Sequence, residues 1–347
     1  MRLSPANSSG NPERERKRTS PAHLTAVAIS FCLSIFLLLT GVAPAQQPPH
    51  LQQELAAIAA RHHGNVAMFA ENLKTGQTVA IHADEPVPTA SVIKLAILYE
   101  AMEQIRAGKV HLDDPIVLRK ADQVQGSGVL LFFDTPVTLT LKDALTMMIV
   151  MSDNTAANLA IDHLGLANID HRIQEMGLKN TYLYRKVFQL YRKVFQPAQG
   201  PMPADQKRFG LGKTTPREMA EVMQKIVTCD LGTPSKPGDR QLCGVALHML
   251  RNQFYRGGIP RYLETAYPNA DSAIANKTGA LDAVRNDVGA IDSKKGMLIV
   301  SIFTNDNRDQ VWSVDNEGQV TIAKLTKAIV QAWSPDGLLD FDTYHPK

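Results

Sequence analysis

Two spacings of hydrophobic residues occur along this chain, and they predict helices and strands in separate regions. Near the start of the main body, Leu51, Leu55 and Ile58 fall on one face of a helix. Two strand-like runs follow over residues 65–73 and 78–82, joined by four residues that include a glycine. This arrangement predicts a β-hairpin that follows a short amphipathic helix.

The middle of the chain has helical periodicity along most of its length. Apolar residues recur at helical spacing over 91–107, 141–151, 155–164 and 169–176. A further helix should begin after Thr215, because the sequence Thr-Pro-Arg-Glu there has the pattern of a capping box with proline at the first helical position. We therefore expect a series of helices between the hairpin and the last third of the chain.

Strand-like runs return late in the chain, over 272–277, 284–291 and 296–304, and an amphipathic helix follows them. These runs follow one another without crossover helices, so antiparallel pairing is favoured. The predicted fold class is α+β, with an antiparallel sheet built from both chain ends, flanking helices and an inserted all-helical domain. We place the sheet domain at 46–111 and 215–347, and the helical insertion, including a 182–214 loop, at 112–214.

Composition and charge exclude several classes of protein. The chain has 347 residues, of which 44% are hydrophobic and 20% charged, so it is too apolar and too evenly charged to be disordered. Its net charge of +3 comes from the first 45 residues, which hold five basic and two acidic side chains and leave 32 of each sign elsewhere. The rest of the chain has no basic stripe, so no nucleic-acid partner is expected.

Residues 1–45 have the composition of a secretory signal peptide. A basic stretch precedes an apolar run from Leu24 to Val42, which ends in Ala43-Pro44-Ala45. An uncleaved membrane anchor is the alternative, because the apolar run is near the lower limit for a spanning helix. We expect a secreted or periplasmic monomer that has no stable membrane span once the leader is removed.

Leader removal would leave two of the three cysteines, Cys229 and Cys243. In an oxidising compartment they could form a disulfide, and a closed loop of about 15 residues would stabilise the fold by about 3 kcal/mol. Two buried free thiols are the alternative. Neither interpretation makes a cysteine catalytic.

A seven-residue segment, Leu-Tyr-Arg-Lys-Val-Phe-Gln, occurs twice in succession, at 183–189 and 190–196. Seven residues are too few for a unit of a repeat protein. We interpret the repeat as a tandem duplication within a loop, where insertions cost little free energy. A sequence-assembly error is the alternative.

Three short motifs carry candidate chemistry. Ser91 and Lys94 lie three residues apart at a helix start, so the lysine amine can reach the serine hydroxyl and act as the base that makes it nucleophilic. Ser-Asp-Asn occurs at 152–154, and Lys-Thr-Gly occurs at 277–279 on a predicted edge strand, where its backbone could pair with a substrate. Each motif is weak alone, because Ser, Asp and Asn also cap helices and Lys-Thr-Gly also occurs in the hairpin turn.

In this order, S-x-x-K, S-D-N and K-T-G are the signature set of class A β-lactamases and penicillin-binding proteins, and the chain resembles these serine hydrolases over about residues 50–335. The resemblance implies that Ser91 is the acylated nucleophile, that Lys94 is its base, and that Ser152 passes a proton to the leaving nitrogen. It assigns substrate binding to the other matched positions: Asn154 for the substrate amide, Lys277 and Thr278 for its carboxylate, and the N–H groups of Ser91 and Ala280 for the oxyanion hole.

One further residue is a candidate ligand, and one expected residue is missing. Arg285 is a candidate second ligand of the substrate carboxylate, and a strand-surface arginine is the alternative. Efficient β-lactamases of the resembled family have a glutamate that activates the deacylating water, but residues 182–214 contain no glutamate, and Lys186-Val187 stands where the pattern would place it. Either Asp205, the one acid in that stretch, or another group replaces the glutamate, or the acyl-enzyme turns over slowly.

The sequence therefore predicts a serine hydrolase that is acylated by β-lactams and hydrolyses them without a metal or other cofactor. The ten histidines show no spacing typical of a zinc site. The expected substrate is a small-molecule β-lactam or a peptidoglycan stem peptide. Two alternatives are a D-alanyl-D-alanine peptidase of the cell wall and a non-catalytic sensor that retains the penicilloyl group.

Overall fold

A computed structural model of the chain describes residues 49–187, 206–232, 234–264, 266–267 and 273–339. The predicted leader, the second copy of the seven-residue repeat and Asp205 lie outside the described residues. Within them, no helix combines the length and the apolar character needed to span a membrane.

Strands from the two ends of the described chain form one five-stranded antiparallel sheet. They are β1 (Asn65–Asn72), β2 (Thr78–Ile81), β8 (Ile274–Leu281), β9 (Val284–Ser293) and β10 (Gly296–Asn305). Their order across the sheet is β2-β1-β10-β9-β8, so β8 is an edge strand. Met68 on β1 pairs with Ile302 on β10 and with Ile81 on β2, which confirms the hairpin and a sheet built from both chain ends.

Shorter strands lie outside this sheet. They are β3 (Val87–Pro88), β4 (Pro115–Leu118), β5 (Val137–Thr140), β6 (Tyr182–Leu183) and β7 (Gly212–Thr214). β7 lies between β3 and β6 in a small sheet, and β4 pairs with β5. The first of these small sheets joins the chain just before Ser91 to the end of the 182–214 loop.

Helices cover both faces of the main sheet, and four of those described lie within the predicted helical insertion. They are α1 (Pro49–Ala59), α2 (Lys94–Arg106), α3 (Leu141–Val150), α4 (Asn154–Leu164), α5 (Leu166–Glu175), α6 (Gln206–Phe209), α7 (Pro216–Thr228), α8 (Asp239–Arg251), α9 (Arg261–Glu264) and α10 (Glu317–Trp333). This mixture of helices and antiparallel strands confirms the predicted α+β class.

The sheet separates two hydrophobic cores because successive side chains of a strand point to opposite faces. Met68 and Ile302 belong to one core, which we call the outer core, together with apolar residues of α1 and α10. Phe69 and Phe303 belong to the other, the inner core, together with apolar residues of α2, α3, α4, α5, α7 and α8. The helical region and the sheet therefore share one continuous apolar interior.

Two helix starts differ in detail from the sequence prediction. The helix predicted over 91–107 begins as a 3₁₀ turn, Ala90–Ile93, before α2 continues it. Thr215 caps α7 as expected by accepting from the Glu218 N–H, but the Glu218 carboxylate accepts from the backbone N–H of Asn180 and the hydroxyl of Thr181. Half of the capping box is therefore replaced by a contact that holds the start of the 182–214 loop.

Cys229 and Cys243 form a disulfide, with their Cα atoms 5.6 Å apart. Cys229 ends α7 in the left-handed conformation, and Cys243 lies within α8. The bond therefore cross-links two consecutive helices of the inner core, and the free-thiol alternative is wrong.

Candidate active site

The candidate nucleophile Ser91 lies in the 3₁₀ turn that precedes α2. Ala90, the first residue of this turn, has a φ of 43°, in the left-handed region that a residue with a side chain rarely adopts. Such strain persists only where the surrounding structure enforces it, and it is often found at functional sites. The turn places Ser91 at the wall of a cavity of about 740 Å³, which Ser152, Thr278, Ala280 and Arg285 also line.

Lys94 is fully buried one turn further along, at the start of α2. Its Nζ donates to the backbone carbonyl of Ser152 at 2.6 Å, to Asn154 Oδ1 at 3.0 Å and to Ser152 Oγ at 3.3 Å. Burial lowers the pKa of Lys94 to about 7, against a smaller opposing effect of the Asp153 charge. A neutral amine is therefore available near neutral pH, as a general base requires.

Lys277 brings a second amine to the hydroxyl of Ser152. Its Nζ donates to Ser152 Oγ at 2.9 Å and to the carbonyl of Thr278 at 2.7 Å. Burial, together with the nearby charge of Lys94, holds the pKa of Lys277 well below its ordinary value. The Ser152 hydroxyl thus lies between two amines, in an arrangement that can transfer a proton.

The Ser-Asp-Asn segment connects α3 to α4, and its three side chains have different environments. Asp153 caps α4 by accepting from the Ala156 N–H at 2.9 Å, so the capping interpretation is correct for this residue. The other carboxylate oxygen of Asp153 accepts from the N–H groups of Val129 and Leu130 at 2.7 and 2.9 Å. This residue therefore fixes the loop that carries Gly126 and Ser127, which form another wall of the cavity.

Asn154, the first residue of α4, uses both ends of its side-chain amide. Its Oδ1 accepts from Lys94, and its Nδ2 donates to the carbonyl of Gln125 at 3.1 Å. An amide nitrogen has two N–H groups, and this bond uses one of them.

The Lys-Thr-Gly segment lies on the edge strand β8, as predicted, and directly contacts the turn that carries Ser91. A Cβ atom on Gly279 would lie 2.8 Å from the Thr89 carbonyl oxygen and 3.0 Å from the Ser91 nitrogen, so a glycine is required for this close approach. Asn286 on the neighbouring strand adds a second link, donating to the carbonyls of Pro88 and Thr89 at 2.9 and 3.1 Å. These contacts bring Thr278 and Ala280 to the same cavity wall as Ser91.

Arg285 also lines the cavity, but its guanidinium is mainly engaged by backbone. Only 2% of the residue is exposed, so the strand-surface alternative is wrong. Its Nη1 donates to three carbonyls in the β8–β9 turn, and its Nη2 donates to the Val311 carbonyl at 3.1 Å. The Trp312 ring stacks on the guanidinium with its centroid 4.5 Å away, and burial lowers the pKa of Arg285. A direct role in carboxylate binding stays a prediction.

Val187, where we expected the family pattern to have glutamate, is held firmly through its backbone. The side chain of Asn158 donates to the Val187 carbonyl at 2.9 Å and accepts from its N–H at 2.8 Å. Asn158 lies one helical turn after Asn154 on α4, so this point of the loop is fixed to the helix that also contacts Lys94. The Val187 side chain is buried in the inner core and provides no carboxylate.

Sequence reasoning missed three features of this site. They are the loop-fixing role of Asp153, the attachment of Val187 to Asn158, and the apolar residues Phe254, Tyr255, Trp312 and Val314 that line the far end of the cavity. Only Asn158 had a detectable signal, because its four-residue spacing from Asn154 places the two side chains on one helix face.

The antiparallel sheet with its helical insertion matches the β-lactamase/transpeptidase-like fold. The sequence model of the family described as "Beta-lactamase enzyme family" matches residues 50–333, and the chain belongs to that family. It is 24% identical to a β-lactamase of Rhodobacter capsulatus over 312 residues, covering 89% of this chain and 97% of that protein. It is also 24% identical to a β-lactamase of Citrobacter koseri over 301 residues, covering 85% and 93%.

Solved structures agree with this assignment. A β-lactamase from Sphaerobacter thermophilus has 30% identity and a TM-score of 0.66, covering 81% of this chain and 96% of its own. A protein named PBP-A has 23% identity and a TM-score of 0.66, covering 84% and 98%, and at this identity the similarity shows the fold alone. A mutant of PBP-A was solved as an acyl-enzyme complex with penicillin G.

Proposed function

We propose that the protein is a serine hydrolase in which Ser91 attacks the carbonyl of a β-lactam amide and becomes acylated. The observation that carries this proposal is the position of the Ser152 hydroxyl between the Nζ atoms of Lys94 and Lys277, at the wall of the cavity that Ser91 lines. Such an arrangement supplies both the base for the nucleophile and the acid for the leaving nitrogen.

In this proposal each step of acylation is assigned to a particular residue. Neutral Lys94 accepts the Ser91 proton as Oγ bonds to the carbonyl carbon, and the N–H groups of Ser91 and Ala280 stabilise the oxyanion. The carbon–nitrogen bond then breaks, and Ser152 gives its proton to the nitrogen and is reprotonated by Lys94. Asn154 binds the amide on the acyl side, and Lys277 and Thr278 bind the carboxylate on the side of the nitrogen.

Deacylation is the slow step in this proposal. The buried Val187 stands where the family pattern provides a carboxylate to activate water, and its backbone is fixed by Asn158. A general base contributes roughly 10²- to 10⁴-fold to a rate, so its loss leaves a long-lived ester on Ser91.

The test is intact-mass spectrometry of the protein mixed with benzylpenicillin at neutral pH. We expect one adduct per chain that persists for minutes, and no adduct in the Ser91→Ala variant. Failure of the adduct to form on Ser91, or its clearance within milliseconds, would contradict the proposal.

A D-alanyl-D-alanine peptidase is the second candidate, and the apolar side chain of Val187 favours it. A peptidase that uses the same serine would also form a lasting adduct with penicillin, because water activation for that ester is lacking. Release of D-alanine from a peptide that ends in D-Ala-D-Ala, lost in Ser91→Ala, would support this candidate. A single stoichiometric burst with nitrocefin and no turnover of peptide would instead indicate a sensor.

A further inference from the structure

The far end of the candidate active-site cavity lies between two loops that expose apolar side chains. The loop after α8 presents Phe254 and Tyr255, and the loop between β10 and α10 presents Trp312 and Val314. The exposed fractions of Phe254, Trp312 and Val314 are 64%, 65% and 73%. Exposed large apolar residues that cluster around one cavity typically mark a binding surface, because their contact with water is unfavourable. We call these four residues the aromatic box.

The box is held together by polar contacts beneath it. Arg261 on α9 reaches the second loop, where it donates to the Val314 carbonyl and, at 2.6 Å, to Asp315 Oδ1. The Trp312 indole donates from Nε1 to Asp282 Oδ1 at 3.2 Å while its ring lies on the Arg285 guanidinium. The wall formed by Trp312 and Val314 is therefore positioned before any ligand arrives, which reduces the entropy cost of binding.

On the first wall, the rings of Phe254 and Tyr255 meet edge to face, with centroids 5.5 Å apart. Aromatic rings in this geometry attract each other beyond the effect of area burial. The pair therefore presents an ordered apolar surface rather than two independent side chains.

The place of the box along the cavity indicates which part of a substrate it would meet. Ser152 Oγ accepts from Lys277 on β8, and further along that strand Ala280 pairs with Arg285 on β9. The Trp312 ring lies on the Arg285 guanidinium, whereas the Phe254 N–H donates to the carbonyl of Val150, two residues before Ser152. In the proposed reaction, Ser152 protonates the leaving nitrogen, and Thr278 binds the carboxylate carried on the same side. The two walls of the box therefore lie on the leaving-group side of the scissile bond, one near Ser152 and the other near Arg285.

We propose that the aromatic box binds an apolar, preferably aromatic, substituent on the leaving-group side of the substrate, a proposal that rests on the proposed acylation of Ser91. The favoured substrate class is an amide whose nitrogen-bearing portion carries both a carboxylate and a bulky apolar group, such as a cephalosporin with an aryl-bearing chain at C3. A terminal D-alanine carries only a methyl group there and leaves the box empty.

The experiment compares two cephalosporins that share one 7-acylamino group and differ only at C3, where one has a methyl group and the other a styryl group. The second-order rate of Ser91 acylation is measured for each by stopped-flow absorbance and intact mass. We expect the styryl compound to react about tenfold faster, since an aromatic contact contributes up to about 1.5 kcal/mol beyond area burial.

Matched variants identify the box as the source of this preference. Phe254→Ala and Trp312→Ala should each remove most of the difference in acylation rate between the styryl and methyl compounds. Trp312→Phe, which keeps a ring but loses the bond to Asp282, should retain most of it. The control is Phe132→Ala, because Phe132 is 78% exposed but is not among the residues that line the cavity.

The outcomes separate this inference from the proposed function. Equal rates for the two compounds, or a preference that survives both alanine variants, would overturn the aromatic box while Ser91 still forms an adduct. If neither compound acylates Ser91, the proposed function itself is overturned.

Discussion

Lys94 is a fully buried amine with three acceptors around its Nζ, and burial lowers its pKa to about 7. The two amines that contact Ser152 Oγ are coupled, because the Lys94 charge also lowers the pKa of Lys277. A lysine in such a site can exchange a proton at the pH where the enzyme works.

The first prediction concerns the pH dependence of acylation. In the proposed reaction neutral Lys94 is the base, so the acylation rate should rise with pH up to about 7 and fall about tenfold for each pH unit below it. The measurement is the burst rate with nitrocefin between pH 5.5 and 8.5. Lys94→Arg, which keeps a charge at every pH, should abolish the burst, whereas a flat profile in the native protein would rule out Lys94 as the base.

The second prediction is that Val187→Glu accelerates deacylation. A glutamate here would carry a carboxylate on a backbone that Asn158 holds, and this carboxylate is the base for water that the proposed mechanism lacks. We therefore expect the penicilloyl adduct to clear about a hundredfold faster, the lower end of the effect of a general base. The measurement is the decay of the adduct by intact mass after excess penicillin is removed.

Val187→Gln is the matched control for that substitution. Glutamine has nearly the size and shape of glutamate but no basic carboxylate, so its adduct should persist as in the native protein. If the adduct clears equally fast in Val187→Glu and Val187→Gln, the shape of the side chain at this position, and not a base, limits deacylation.

At this scale, the sequence predicted the residues that share a motif and missed those that do not. The order and spacing of the motifs predicted Ser91, Lys94, Ser152 and Lys277 as site residues, and the structure brings both lysines to the Ser152 hydroxyl. The bond from Asn158 to Val187 joins residues 29 positions apart, and the engagement of Arg285 by backbone carbonyls depends on turn geometry. Neither contact has a local sequence pattern.

The element that organises the site is α4. Asp153 caps it and fixes the 124–130 loop, Asn154 contacts Lys94, and Asn158 holds Val187. Successive turns of one helix therefore position the 124–130 loop, the buried amine of Lys94 and the loop segment that carries Val187.

The third prediction is that Asn158→Ala destabilises the protein. The substitution leaves the buried N–H and carbonyl of Val187 without partners, so the free energy of unfolding should fall by about 2 kcal/mol or more. Urea denaturation measures the change. Asn168→Ala on α5 is the control, because Asn168 is exposed and bonds only to the Leu164 carbonyl. Equal losses of unfolding free energy in the two variants would contradict the proposed importance of the two hydrogen bonds between Asn158 and the Val187 backbone.

Helix and strand positions were predictable because their side-chain periods are local. The late strands and the helix after Thr215 appear within a few residues of their expected limits. The 3₁₀ turn at Ala90–Ile93 was not predicted, because apolar spacing does not distinguish it from the first turn of an α-helix, and the strained Ala90 is imposed by contact with β8. The sequence alone likewise could not decide whether the disulfide forms, because that depends on how closely α7 and α8 approach in three dimensions.

On the scale of the whole molecule, the main sheet divides the interior into the outer and inner cores. The three motifs meet on the inner side and at the β8 edge, whereas α1 and most of α10 cover the opposite face. Stability contributed by the outer core should therefore be separable from the chemistry at Ser91.

The fourth prediction tests that separation with Ile329→Ala. Ile329 is fully buried in the outer core on α10, so its truncation should lower the free energy of unfolding by about 2–5 kcal/mol. Acylation of Ser91, measured at a temperature where the variant is folded, should change by less than about twofold, since distant sites act independently. Lys324→Ala on the exposed side of the same helix should change neither quantity, and a large loss of acylation in Ile329→Ala would refute the separation.

The α+β class and the use of both chain ends in one sheet followed from the order of periodic segments. The β1–β2 hairpin followed too, but the pairing of β1 with β10 did not, because it joins Met68 to Ile302 across most of the folded chain. Partner choice at that distance depends on which faces are apolar in three dimensions.

That same pairing affects the timing of folding. A ribosome or export channel releases the chain from its N-terminus, so β1 and the Ser91 turn emerge long before β10 and Lys277 exist to contact them. Contacts so distant in sequence also form slowly. In the proposed mechanism, acylation also needs Lys277 and the Ala280 N–H, which lie on β8. A nascent or truncated chain without β8 should therefore not be acylated, even after Ser91, Lys94 and Ser152 have emerged.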